Sequence, residues 1–303
     1  MAYRFKASDT SVQDGLRRIA CDQIDKAIRE SRSGDGEAVH DVRKRCKKLR
    51  GLLRLVRPAM PDYAKENAAV RDIACAFAAL RDAEVMVGTY DRLAQHYEDQ
   101  IDRNAVSFVR RQLTMTLNAV RGDADLGEKL ASTREALLET RHRAEQWKTD
   151  RDGFAAIEGG LAKTYKRARS AMERAAKRPS GARFHDWRKR VKYNRYHAQL
   201  LSPVWPGMMA AHVDLAAELG DVLGEQHDLV VFRERLAALG EDKQSVAAMR
   251  ALAGERADIR ERRALKIGAT LFSEPTSEFV KRIGGYWMAW ESPSNVVRFS
   301  DVA

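Results

Sequence analysis

The chain repeats itself, and that constrains its fold more than any other feature of the sequence. With the sequence laid against itself at an offset of 145, Gly15 and Leu16 fall on Gly160 and Leu161, and His40 and Asp41 fall on His185 and Asp186. Arg43, Lys44 and Arg45 fall on Arg188, Lys189 and Arg190, Lys47 on Lys192, Arg50 on Arg195, and Pro58 and Pro61 on Pro203 and Pro206. One residue of slip then brings Arg81 and Asp82 onto His227 and Asp228. A series of matches in one order at nearly one offset argues for a duplicated unit. The expected architecture is two similar halves related by a pseudo-two-fold axis, the first over 1–150 and the second over 151–303, joined at Asp150 to Gly153.

Each half reads as helix. Ala, Leu, Arg, Glu and Lys, all good helix formers, dominate, and no run of alternating β-branched residues marks a strand. The expected class is all-α. Periodicity and Gly/Pro punctuation place helices near 10–31, 37–57, 62–98 with a break around Gly88, 101–121, 128–149, 153–177, 182–201, 207–223, 226–239, 242–265 and 276–290. Gly122 to Gly127 marks the end of the first bundle. A hydrophobic fraction of 44% is enough for a sizeable core. Cys21, Cys46 and Cys75 form no CxxC pair and read as small buried hydrophobes of a reducing compartment. No stretch approaches ~18 uninterrupted apolar residues, and the N-terminus has no apolar signal core. The expectation is a soluble, cytoplasmic protein with no membrane partner.

The formal charge of +11 points to a polyanion as partner. The helical periodicity shows where that charge sits. Arg43, Lys47, Arg50, Arg54 and Arg57 are spaced at 0, 4, 7, 11 and 14, which puts them on one helix face. His40 and Lys44 extend this stripe. Val42, Cys46, Leu49, Leu53 and Val56 form an apolar stripe beside it, and Pro58 ends the helix. In the second half His185, Arg188, Lys189, Lys192 and Arg195 are the basic stripe, and Trp187, Val191, Ala198 and Leu201 the apolar one. Gln199 and Ser202 stand where the first half has Arg54 and Arg57.

A solvated helix face usually intersperses acids for pairing four residues apart. Residues 40–57 instead hold eight Lys and Arg against one acid, Asp41. Like charges at that spacing repel, so a bound anion would relieve a cost the helix otherwise carries. Facing halves would bring both stripes to one cleft. His40 and His185 read as first-turn residues, where free N–H groups and the helix dipole favour an anion. Asp41 and Asp186 read as orienting acids, as do Asp82 beside Arg81 and Asp228 beside His227.

Phosphate-cradling Gly-rich loops, a nucleophile elbow and metal-spaced Cys/His clusters are all missing from the sequence. The expectation is therefore binding without catalysis, cofactor or metal. Aromatics interleave poorly with the basic residues, which disfavours base stacking on single strands. A site made of charges reads phosphates and little else. A nucleic-acid-binding adaptor, a phosphohydrolase and a structural interaction protein with solvated basic faces remain alternatives.

These residues resemble the CHAD family, the conserved-histidine α-helical domains. The likeness rests on His40, Asp41, Val42 and Arg43 with Lys47 and Arg50, then Leu80, Arg81 and Asp82. In the second half it rests on His185, Asp186, Trp187 and Arg188 with Lys192, Arg195 and Tyr196, then Leu219, Gly220, His227 and Asp228. Gly160, Leu161, Tyr165, Lys166, Arg167, Phe279, Tyr286, Trp287 and Trp290 also fit. The resemblance covers nearly the whole chain. It implies a single domain over 1–303, built as two pseudo-symmetric four-helix bundles enclosing a basic central cleft. It further implies binding of inorganic polyphosphate there and association with polyphosphate granules. Beside the two stripes, Arg81, Asp82, Tyr165, Arg167, Tyr196, His227 and Asp228 are secondary binding or orienting candidates, as is Arg57 at the end of the first stripe.

Overall fold

The computed structural model describes residues 3–33, 36–123, 126–238 and 244–291. Among these it is all-helical. The helices are α1 (Val12–Glu30), α2 (Gly36–Val56), α3 (Tyr63–Cys75), α4 (Ala78–His96), α5 (Arg103–Asp123), α6 (Leu126–Ala144), α7 (Gly153–Lys177), α8 (Gly181–Leu200), α9 (Pro206–Ala238), α10 (Gln244–Leu271) and α11 (Thr276–Glu291). Three of their ends have a clear local cause. Ser11 accepts the Asp14 N–H at the start of α1, and Ser180 accepts the Arg183 N–H at the start of α8. Pro58 closes α2 just beyond Val56.

Two groups of four helices carry most of the packing. α1, α2, α3 and α6 touch one another, and so do α7, α8, α9 and α10. α2 joins the groups by packing directly on α7 and α8. The apolar stripe read on α2 is fully buried at Val42, Cys46, Leu49, Leu53 and Val56, and so is that of α8 at Trp187, Val191 and Leu201. The hairpin of α4 and α5 leaves the first group and packs on α9 and α10. There it forms a separate core around Tyr90, Leu93, Val109, Phe232, Leu236 and Met249.

The contacts of α2 are unusually close. A Cβ on Gly160 of α7 would lie 1.8 Å from the Leu55 carbonyl oxygen, and one on Gly51 would lie 2.8 Å from the Tyr196 Cβ. Only residues without a side chain let the backbones approach so nearly. At the second crossing the His197 ring, fully buried on α8, donates from Nε2 to the Gly51 carbonyl at 3.0 Å. Burial pushes His197 down to about 3, so the ring is a neutral donor. A loop contact adds to the joint: the Asp152 carboxylate accepts the Val12 N–H at 2.7 Å.

Three expectations are corrected. The break expected near Gly88 lies at Ala76 and Phe77, where the buried Phe77 ring anchors the chain and turns it between α3 and α4. Gly88 sits inside α4, since a lone glycine weakens a helix by only ~1 kcal/mol. The two helices read at 207–223 and 226–239 are the continuous α9, which Leu219, Leu223 and Leu229 fasten to the core along its length. Cys75 is exposed at the end of α3 rather than buried, while Cys46 is buried and Cys21 partly so. Within the Gly122 to Gly127 boundary, residues 124 and 125 lie outside the described residues, as do 239, 242 and 243 from the expected helix ends.

The Gly160 crossing makes a stability prediction. Gly160→Ala forces α7 away from α2 and should cost about 3 kcal/mol or more, read as a fall in Tm by circular dichroism. Gly122→Ala, which adds a Cβ in open space within a helix, should leave Tm unchanged or slightly raised.

Candidate functional site

The crossing of α2 and α8 sets their basic faces along one cavity of about 1130 Å³. α2 contributes His40, Arg43, Lys47, Arg50 and Arg54, and α8 contributes His185, Arg188, Lys189, Arg190 and Lys192 with Tyr193 and Tyr196. Arg81 and Asp82 enter from α4, and His227, Asp228 and Arg235 from α9. The α4–α5 hairpin completes the lining with apolar and neutral polar groups such as Val85, Leu113, Gln112 and Thr116.

Five residues read as candidates in the sequence do not line the cavity. Lys44 is exposed on the outer flank of α2 and pairs with Asp41 at 3.2 Å. Arg195 lies past the closed crossing at Gly51, on the side of Lys48. Arg57 lies beyond the end of α2, near Tyr63 and the exposed Arg167. Tyr165 belongs to the core, where its ring stacks on Phe279 at 4.1 Å and its hydroxyl donates to the Glu274 carbonyl at 3.0 Å. The reason is shared: periodicity gives a side chain's helix face but not how far a cavity extends along it.

Cations in this cavity are concentrated and poorly neutralised. Burial pushes the Lys192 ammonium down to about 7, with Arg188 and Lys47 adding to the effect. Burial likewise pushes Lys47 down to about 8, aided by Arg43, Arg188 and Arg81. Neither lysine forms an ion pair among the described residues. His227 is pushed down to about 4 by burial and then by His185, whose ring centroid lies 4.1 Å away. His40 and His185 are lowered too, burial first and neighbouring cations second. Asp228 is raised by burial in spite of Arg188 and Arg92. The lysine and histidine shifts express one situation, namely charge held out of water beside like charge, and Asp228 shows the burial alone.

Neutral neighbours hold Arg43, Arg50 and Arg54 in place without neutralising them. Asn67 on α3 accepts from Arg54 Nη1 at 2.8 Å and from Arg50 Nε at 3.3 Å. Arg43 donates to the Ala74 carbonyl at the end of α3. The Arg54 guanidinium lies 4.0 Å from the centroid of the Tyr193 ring. Nε of Arg43 and of Arg188 is buried with no partner. Asp186 does orient cations, accepting from Arg190 at 3.0 Å, while Asp228 lies 3.8 Å from Arg92. Arg81 pairs with Glu84.

The helix-end reading of the two histidines is corrected. α2 and α8 start at Gly36 and Gly181, and Ser180 already caps α8, so His40 and His185 stand in the second turn. Their backbone N–H groups belong to the helix ladder, and the rings are what face the cavity. Sequence reasoning missed Arg235, Asn67, Gln112 and Thr116. Arg235 had a usable signal, since 228, 231 and 235 share a face of α9. Asn67 had none.

A family model described as the CHAD domain matches residues 18–237. The chain belongs to the CHAD family. The matched span runs from α1 to the end of α9 and so includes every charged residue of the cavity. The crystal structure of the CHAD domain from the plant Ricinus communis is similar in fold, with 17% identity, a TM-score of 0.56 and 95% of each chain covered. No curated protein matches the chain. Among the described residues no group of three or more His, Cys, Asp or Glu is placed to hold a metal ion, and no helix is long and apolar enough to cross a membrane.

Stability of this CHAD domain should depend on pH in the absence of anions. Lys192 and Lys47 release protons near 7 and 8 when folded and near their ordinary 10.5 when unfolded. Between those values the unfolded chain binds more protons, so stability rises with pH. Tm measured in a non-coordinating buffer should climb from pH 7 to pH 9, and Lys192→Met should raise Tm at pH 7 and flatten the climb.

Proposed function

We propose that the cavity between α2 and α8 binds inorganic polyphosphate without acting on it. One observation carries the reading: Arg43, Lys47, Arg188 and Lys192 converge, largely desolvated, with few acids to neutralise them. A flexible chain of phosphates supplies one negative charge after another along such a groove and relieves the repulsion. Each charge-assisted contact contributes ~1.5–3 kcal/mol, without simple addition. In this reading the two groups of four helices are pseudo-symmetric halves, each giving one wall of the cleft. The Tyr193 ring carries Arg54 close by, which disfavours its use as a stacking platform for bases. Membership of the CHAD family supports the same ligand, and a cytoplasmic setting with association to polyphosphate granules goes with it.

The quadruple variant Arg43→Ala, Lys47→Ala, Arg188→Ala, Lys192→Ala should lose retention of long-chain polyphosphate while keeping its helicity. Unchanged retention sinks the assignment. Wild-type affinity should fall steeply between about 50 and 200 mM salt, as counterion release requires. Two further arms test the alternatives. Displacement of long-chain polyphosphate by RNA or DNA at equal phosphate concentration would favour a nucleic-acid adaptor. Release of phosphate with Mg²⁺ or Mn²⁺ would show an enzyme.

A further inference from the structure

The two walls of the cavity differ chemically, and the difference goes beyond the polyphosphate reading on which this inference rests. From the first half come the arginines Arg43, Arg50, Arg54 and Arg81, with one histidine and one lysine, His40 and Lys47. The second half also supplies Arg188, Lys189, Arg190 and Arg235, but only there do two histidines, His185 and His227, stand together beside Lys192. His227 occupies the place that the repeat gives to Arg81, and it lies on His185 with ring centroids 4.1 Å apart. His185 Nδ1 is buried without a partner. Two rings so close cannot both carry a proton comfortably unless an anion lies beside them.

The surroundings of these three groups are mostly cationic. α2 presents Arg43 and Lys47, with His40 nearby, and α4 presents Arg81 and Arg92, with Asp82 and Arg81's partner Glu84 as acids. On α8 itself stand Arg188, Lys189 and Arg190, with Asp186 bound to Arg190 and to Arg174 of α7. On α9 stand Asp221, Asp228 and Arg235. α5 lines the cavity with uncharged residues. On α10, Arg256 and Arg260 pair with Glu225 and Arg263 with Glu218, both acids of α9.

We infer that the second-half wall is a proton-loaded wall: a polyanion entering the cavity draws protons onto His185, His227 and Lys192, so affinity rises as pH falls. The arginines of both walls hold the ligand at every pH, and the histidine pair with Lys192 makes the hold proton-dependent. Burial keeps the ring of His227 and much of Lys192 uncharged near neutrality in the free protein. Each phosphate that replaces water near them favours the charged form. The ligand's internal phosphates do not titrate near neutral pH, so the protons come from solvent.

Calorimetric titration of the full chain with long-chain polyphosphate, at pH 6, 7 and 8 in buffers of different ionisation enthalpy, counts these protons. Net uptake is expected at pH 7 and 8, with affinity falling about tenfold per pH unit for each proton taken up. Lys192→Arg with His227→Arg, which gives the second wall fixed charge, should reduce the uptake and flatten the pH dependence. Lys192→Arg alone, the smaller change, tests the same point if the double variant does not fold. Binding without proton uptake, or variants that take up as many protons as the wild type, would overturn the inference alone. Absence of binding at every pH would overturn both this inference and the polyphosphate reading.

Discussion

Everything at the cavity depends on how closely α2 is pressed onto α7 and α8. Gly160 brings α7 onto the backbone of Leu55, and Gly51 brings α2 onto Tyr196 and under the buried ring of His197. These contacts are made by apolar and neutral groups, and they fix the angle at which the two basic faces meet. Lys47 and Lys192 would separate if they were free to do so. Burial of stripes such as Leu49, Leu53, Trp187 and Val191 keeps them together. The site is thus a strained electrostatic arrangement maintained by a core that has no charge of its own.

That arrangement explains why the perturbed groups cluster. Protein interiors disfavour charge, and like charges disfavour each other, so each buried ammonium or imidazole near the α2–α8 crossing moves toward its neutral form. Guanidinium groups resist the same pressure because their ordinary value is so high, and they instead find neutral partners such as Asn67, the Ala74 carbonyl and the face of Tyr193. Hydrogen bonds to neutral partners position a cation without neutralising it, which leaves its charge available to a ligand.

The α4–α5 hairpin gives the cavity its remaining lining. It packs on α9 and α10 around its own core and contributes few charges. Low-dielectric material beside a row of cations focuses their field into the groove. The hairpin therefore strengthens basic faces to which it adds only Arg81.

The sequence by itself determined the helices, the repeat, the buried stripes of α2 and α8 and most of the cations facing the cavity. Those properties follow from a 3.6-residue period and are local. It misplaced the break now seen at Phe77 and split α9, because helix continuity there depends on what Phe77 and Leu229 pack against. Tyr165 went to the core, and Lys44, Arg57 and Arg195 fell outside the cavity, because the position of a crossing decides where a groove closes. Asn67 and the contact between His185 and His227 join residues distant in sequence and left no periodic trace. Only the tertiary structure decided that two basic faces share one cavity, since long-range packing alone can hold like charges together.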